Sequence, residues 1–186
     1  RKAGKEWKAF EAEHKDSGKI ILSAAQKLKV ENWVESYKKR PEAVDLVDGA
    51  NNEFSLFSDM AGVPLKVRAD VINIDKGFIA DVKTTASDPD VDTFKFTVEQ
   101  YGYDLSAALY VDLFSRRYEK DFDFYFIVLG KRTQTCEVYK ASDLTLGKGR
   151  KKMLTALKLY KSCMENGKWD NEKEIKPITD YEILEV

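Results

Sequence analysis

Between Glu53 and Thr85 the apolar residues recur at every second position, a period that a β-strand satisfies and a helix does not. Phe54, Leu56 and Met60 alternate with Glu53, Ser55 and Phe57. Ala61-Gly62 reads as a turn. Val63, Leu65, Val67, Ala69 and Val71 then form one face of a strand whose other face carries Lys66, Arg68 and Asp70. After the turn Asp75-Lys76-Gly77, Phe78, Ala80 and Val82 oppose Ile79, Asp81 and Lys83. Three consecutive strands joined by short turns make an antiparallel meander.

Helical spacing surrounds this meander. Trp7 and Phe10 belong to a first helix that Ser17-Gly18 ends. Ser23 with Gln26 has the form of a capping box, followed by a stripe of Leu28, Val30, Trp33, Val34 and Tyr37. Pro41 opens a short helix to Val47, and Gly49 stops it. A polar loop from Ala86 to Asp92 precedes one long helix over Val98 to Tyr118. The apolar run Phe122 to Leu129 suits a buried central strand, and Gln134 to Tyr139 pairs beside it. Ser142 or Asp143 caps a last long helix, and the tail from Trp169 to Val186 is expected to wrap the surface. This order gives an α/β fold, a mixed five-stranded sheet with helices on both faces.

Several functions are excluded early. Lys and Arg number 31 against 32 Asp and Glu, so no bulk positive charge draws the chain to nucleic acid. A nucleic-acid site must therefore be a local basic face or acidic residues masked by metal ions. Cys136 and Cys163 match neither a disulfide framework nor zinc spacing, and a free pair in a reducing cytoplasm is the expectation. No apolar run approaches the ~18 residues of a membrane span. Gly147-Lys148-Gly149 is too short for a phosphate loop, and one histidine with no nucleophile elbow argues against serine-type catalysis.

The chemistry concentrates on the second hairpin. Asp81 and Lys83 share a strand face. With a two- or four-residue loop centred on Asp75-Lys76, Asp70 falls opposite Asp81, with Cβ atoms about 4.5–5.5 Å apart. A three-residue loop with a bulge at Gly77 would instead set Asp70 against Val82. Two facing carboxylates repel unless a cation lies between them, and hard oxygen ligands suit Mg²⁺ or Mn²⁺. A lysine one step along can orient a water or neutralise a phosphate. The same acid-x-Lys triplet at Glu6-Trp7-Lys8, Glu13-His14-Lys15 and Glu174-Ile175-Lys176 lies outside any apolar strand and reads as solvated charge. The densest basic run, Lys148-Gly149-Arg150-Lys151-Lys152, and Lys66, Arg68 and Lys95 are the candidates for a local basic face.

Val67-Arg68-Ala69-Asp70, Ala80-Asp81-Val82-Lys83-Thr84-Thr85 and the stretch Tyr101 to Tyr110 together resemble the PD-(D/E)XK nuclease superfamily, and within it the RecE (exonuclease VIII)-like phage exonucleases. The resemblance implies a restriction-endonuclease-like core, with residues 1–186 forming one nuclease domain that lacks an upstream helix bearing a motif histidine. It implies that Asp70, Asp81 and the Val82 carbonyl bind Mg²⁺ or Mn²⁺, with Glu53 as a further acidic ligand, and that Lys83 positions or activates the attacking water. Thr84, Thr85, Gln100, Tyr103, Tyr110 and Arg68 would contact DNA. The implied reaction is 5′-to-3′ hydrolysis of duplex DNA from its ends in recombination, beside a single-strand annealing protein and in a ring-shaped homo-oligomer.

Two departures from that pattern stand out. His14, the only histidine, sits in Glu-His-Lys-Asp and does not match the family's histidine motif; it reads as a surface residue. Ser106 stands where such helices often carry glutamine. The alternatives are a RecB- or Cas4-like nuclease acting on single strands or flaps, two distant cysteines arguing against the Cas4 form with its iron–sulfur cysteine cluster, and a catalytically silent DNA-binding module that keeps the fold.

Overall fold

A computed structural model describes residues 4–169. The chain runs α1 (Lys5–His14), α2 (Ala24–Lys38), α3 (Pro41–Val47), β1 (Asn51–Met60), β2 (Val63–Asn73), β3 (Phe78–Thr85), α4 (Val91–Tyr101), α5 (Tyr103–Tyr118), β4 (Asp123–Gly130), β5 (Cys136–Lys140) and α6 (Asp143–Asn166). The five strands form one sheet in the order β1-β2-β3-β4-β5. All neighbours are antiparallel except β3 and β4, whose parallel pairing is bridged by α4 and α5. The apolar run of β4 is thus flanked by strands on both sides, while the central strand is β3.

Local chemistry accounts for the element ends. Ser23 and Gln26 complete the expected capping box, and Ser142 accepts from the Thr145 N–H at the start of α6. Pro41 stands at the first turn of α3. The long helix expected over Val98–Tyr118 is two helices. Asp90 caps the first, accepting from the N–H groups of Asp92 and Thr93, so helix begins at Val91 inside the expected loop. Gly102, left-handed at φ 66°, ends α4 and starts α5.

Two apolar layers sandwich the sheet. On one face Phe94 and Val98 of α4, Ala107, Val111 and Phe114 of α5, and Leu146 of α6 pack on Leu56, Val67, Ala69, Ile79, Phe124, Phe126 and Val128. On the other, Ala43 and Leu46 of α3 cover Val71, Phe78, Ala80, Ile127 and Cys136. α6 lies against α5 and reaches the start of β2 through Met153, Leu157 and Val63. Helices therefore stand on both faces. α2 departs from expectation: none of its residues is fully buried, and Leu28, Val30 and Val34 of its apolar stripe are exposed. Tyr37 at its end packs on the α3-side core, and polar contacts to the β4–β5 turn hold the rest, the Trp33 indole N–H donating to the Gly130 carbonyl at 2.9 Å and Asn32 to the Gln134 side chain at 2.7 Å. The tail expected to wrap the surface lies outside the described residues from position 170 onward. No helix among the described residues is long and apolar enough to cross a membrane.

Candidate active site

β2 and β3 pair only over Val71–Ala80, Ile72–Ile79 and Asn73–Phe78. A four-residue connection, Ile74 to Gly77, closes the hairpin, with the Gly77 and Lys76 N–H groups donating to the Asn73 carbonyl and side chain at 2.9 Å each. Gly77 has φ 72°, and a Cβ there would lie 2.9 Å from the Asp121 carbonyl oxygen, so glycine is required on two grounds. Of the two registers open to the sequence, the structure therefore adopts the one that sets Asp70 opposite Asp81, one step beyond the last paired residues.

At that step the sheet forks. From Ala69 back to Val63, β2 pairs with β1, whereas β3 from Asp81 to Thr85 pairs with β4. The side-chain alternation of β2 breaks at the same place. Val67, Ala69 and Ile72 pack on the α5 side, but Val71, expected on their face, packs against α3. Opposite Asp70 on β1, Glu53 has φ 52°, an uncommon left-handed value inside a strand.

The fork gathers three of the expected residues. The Asp70 carboxylate accepts from the Val82 N–H at 2.8 Å, filling the ladder position that β2 has vacated. Asp81 is buried beside it, and its Oδ2 meets the Lys83 ammonium. Burial pushes the Asp81 carboxyl above the usual carboxylate range; Lys83 opposes that shift and the Asp70 charge adds to it. The Lys83 ammonium also lies 4.6 Å from the centre of the Tyr103 ring. Seven residues along α5, the Tyr110 hydroxyl donates to the Arg68 carbonyl at 3.1 Å, fastening the helix to β2 just before Asp70. Burial raises the Tyr110 phenol, and the charges of Asp81 and Asp70 push it the same way.

The other expected residues are placed differently. Glu53 is ion-paired with the Arg68 guanidinium at 2.8 Å, both largely exposed. It does not join Asp70 and Asp81, and no group of three or more His, Cys, Asp or Glu side chains suited to a metal exists among the described residues. Thr85 is buried, its hydroxyl accepting from the Ser87 N–H at 3.2 Å, while Thr84, Gln100 and Ser106 are exposed. His14 ends α1, its ring stacked on Phe10, as expected of a surface residue. The basic run on α6 is ion-paired while remaining exposed: Lys148 pairs with Glu99 at 2.8 Å, Arg150 with Asp112 at 2.8 Å and Lys152 with the buried Asp104 at 2.7 Å. Three of its four cations thus fasten α6 to α4 and α5.

Two roles lay outside the sequence reading, the Tyr103 ring beneath Lys83 and the Tyr110 bond to the Arg68 carbonyl. Their seven-residue spacing, two helical turns, was the available signal. The donor chemistry suits a hard divalent ion. Two carboxylates meet, one of them buried, and a cationic group, the Lys83 ammonium, already stands against the buried Asp81 oxygen.

A mixed sheet split at two aspartates, with Asp-x-Lys on its central strand, defines a PD-(D/E)XK-type domain. The chain belongs to the family described as a PDDEXK-like domain of unknown function (DUF3799), which matches residues 3–175. Its fold is also similar to that of a candidate exonuclease from Eubacterium rectale, with TM-score 0.67 and 16% identity over 88% of this chain and 63% of that one. The chain thus spans less than two thirds of that protein. The structure of SSO0001 aligns more loosely, with TM-score 0.39 and 13% identity over 82% of this chain and 87% of that one. No curated protein matches the chain.

Proposed function

We propose that this chain is a divalent-metal-dependent deoxyribonuclease that hydrolyses phosphodiester bonds, working as a 5′-to-3′ exonuclease on duplex DNA ends. One observation carries the hydrolytic reading: Asp70, Asp81 and Lys83 converge where β2 and β3 part. A structural ion pair needs one carboxylate, and a second carboxylate at a buried one costs stability unless a cation binds there. The direction of attack, the preference for duplex ends and the role in recombination rest on the resemblance to RecE-like exonucleases.

Asp70 and Asp81 would hold the Mg²⁺. The Val82 N–H already points toward β2, and in an extended strand the carbonyl of the same residue leaves on the same side, which favours it as a third oxygen. A bound divalent ion neutralises the phosphate and acidifies water. Lys83 orients the attacking water and donates to the phosphate oxygen on which charge builds. Tyr103 keeps the ammonium over its ring, and Tyr110 holds β2 so that Asp70 faces Asp81.

The test is degradation of end-labelled linear duplex DNA with Mg²⁺ or with EDTA, by wild type and by Asp81→Ala. The expected result is Mg²⁺-dependent loss of the 5′ label by wild type alone. Retained cleavage in the variant would remove Asp81 from the mechanism. DNA binding without cleavage under any metal would leave a silent DNA-binding module.

A further inference from the structure

The break between α4 and α5 builds a second feature beside the fork. On an uninterrupted helix, residues two apart project about 200° from one another, so Tyr101 and Tyr103 could not meet. The left-handed turn at Gly102 changes that. Their rings stack with centroids 5.7 Å apart and planes 23° from parallel. Tyr103 is backed by Phe126 at 6.4 Å and carries the Lys83 ammonium. Tyr101 is the outer member, 64% exposed. A ring this exposed gains little from burial beyond its stacking on Tyr103, a small return for interrupting a helix to place it. The interruption does align Tyr101 with the ring that holds the proposed catalytic lysine.

We propose that Tyr101 is a stacking platform for an unpaired nucleobase next to the scissile phosphate. The inference rests on the nuclease reading and narrows its substrate to DNA whose terminal bases have left the duplex stack at the site. The chemistry follows from placement. A phosphate that reaches Lys83 and the two aspartates carries its own base within one nucleotide of them. The exposed Tyr101 ring is two ring-steps from that ammonium. Ring-on-base stacking is indifferent to sequence, as processive removal of any nucleotide demands. Gly102 is the positioning residue. A Cβ there meets nothing within 4 Å, so a substitution acts through the left-handed backbone alone.

The experiment measures binding of a labelled single-stranded oligonucleotide, and of its abasic counterpart, by fluorescence anisotropy with the full chain. Ca²⁺ in place of Mg²⁺ keeps the two aspartates neutralised while slowing cleavage, and cleavage with Mg²⁺ is followed in parallel. Wild type should prefer the base-bearing strand by roughly tenfold. Tyr101→Ala and Gly102→Ala should lose that preference while binding the abasic strand as wild type does, and Tyr101→Trp should restore it. Circular dichroism of each variant controls for folding. A folded Tyr101→Ala that keeps the preference overturns the platform, as does a wild type that cleaves DNA without preferring bases; both leave the nuclease reading standing. A wild type that neither binds nor cleaves DNA overturns both.

Discussion

Gly149 and Gly147 lie two residues apart on α6 and should respond to the same substitution with opposite sign. A Cβ at Gly149 would sit 2.0 Å from the Asp104 carbonyl oxygen, 2.5 Å from its carbon and 3.0 Å from the Ala108 Cβ. The first two are backbone atoms of α5 and cannot rotate away. Restoring an ordinary separation of ~3.5 Å would drive the two helices apart by more than an ångström, across the interface held by Lys152–Asp104 and Arg150–Asp112. Such overpacking costs about 1–3 kcal/mol, and a rigid backbone neighbour puts Gly149→Ala at the upper end. Replacing glycine in a helix returns about 1 kcal/mol, leaving a net loss of ~2 kcal/mol, or about 4–8 °C in Tm for a chain of this size. Gly147 meets nothing within 4 Å, so Gly147→Ala should gain up to ~1 kcal/mol. Urea titration followed by circular dichroism measures both. A Gly149→Ala protein as stable as wild type, or both variants shifting the same way, would refute the close α5–α6 approach.

Asp81 predicts a pH dependence. Its folded-state carboxyl is raised by burial, so the folded chain holds that proton more tightly than the unfolded chain. The resulting stability is present below the unfolded carboxylate value and is lost as pH rises through the raised one. The stability of wild type minus that of Asp81→Asn should therefore fall on going from pH 3.5 to neutrality in urea midpoints; a rising difference would contradict the burial argument. Tyr110→Phe should lose under ~1 kcal/mol of stability, since the bond it removes is neutral and partly exposed, yet slow cleavage several-fold by loosening β2 at Asp70. Unchanged kcat would show that the bond does not position Asp70. At the α5–α6 contact, Lys152→Ala leaves the buried Asp104 carboxylate unpaired and should cost ~3 kcal/mol. Asp104→Ala leaves a lysine that can reach water and should cost less, and thermal melts giving the reverse order would refute that account.

The meander was legible because the two-residue period persists in β1 and in β2 as far as Ala69, and because the turn at Asp75–Gly77 marks where the chain folds back. The juxtaposition of Asp70 and Asp81 followed conditionally from the turn length. What a single sequence does not carry is the fork. Val63 to Val71 reads as one unbroken alternation, and the crossing of Val71 to the α3 side follows from β2 leaving β3, a tertiary event. The split between α4 and α5 hides for a different reason, since one glycine in an apolar helical pattern is compatible with a continuous helix. The ion pairs of the basic run on α6 were not legible because its partners Glu99, Asp112 and Asp104 lie 38 to 49 positions away in the chain. Glu53 drew attention as an acid near the site, but its nearest cation is Arg68, on the strand beside it.

The most direct test of the central claim is a calorimetric titration of Mn²⁺ into wild type, Asp81→Ala and Lys83→Ala, without DNA. On the proposed reading Asp81 is a ligand, and the Lys83 ammonium stands against its carboxylate as a competing positive charge. The account predicts that Asp81→Ala loses the site while Lys83→Ala binds the metal at least as tightly as wild type, although it no longer cleaves DNA. Equal affinity in all three proteins would contradict a metal-dependent site built on Asp70 and Asp81.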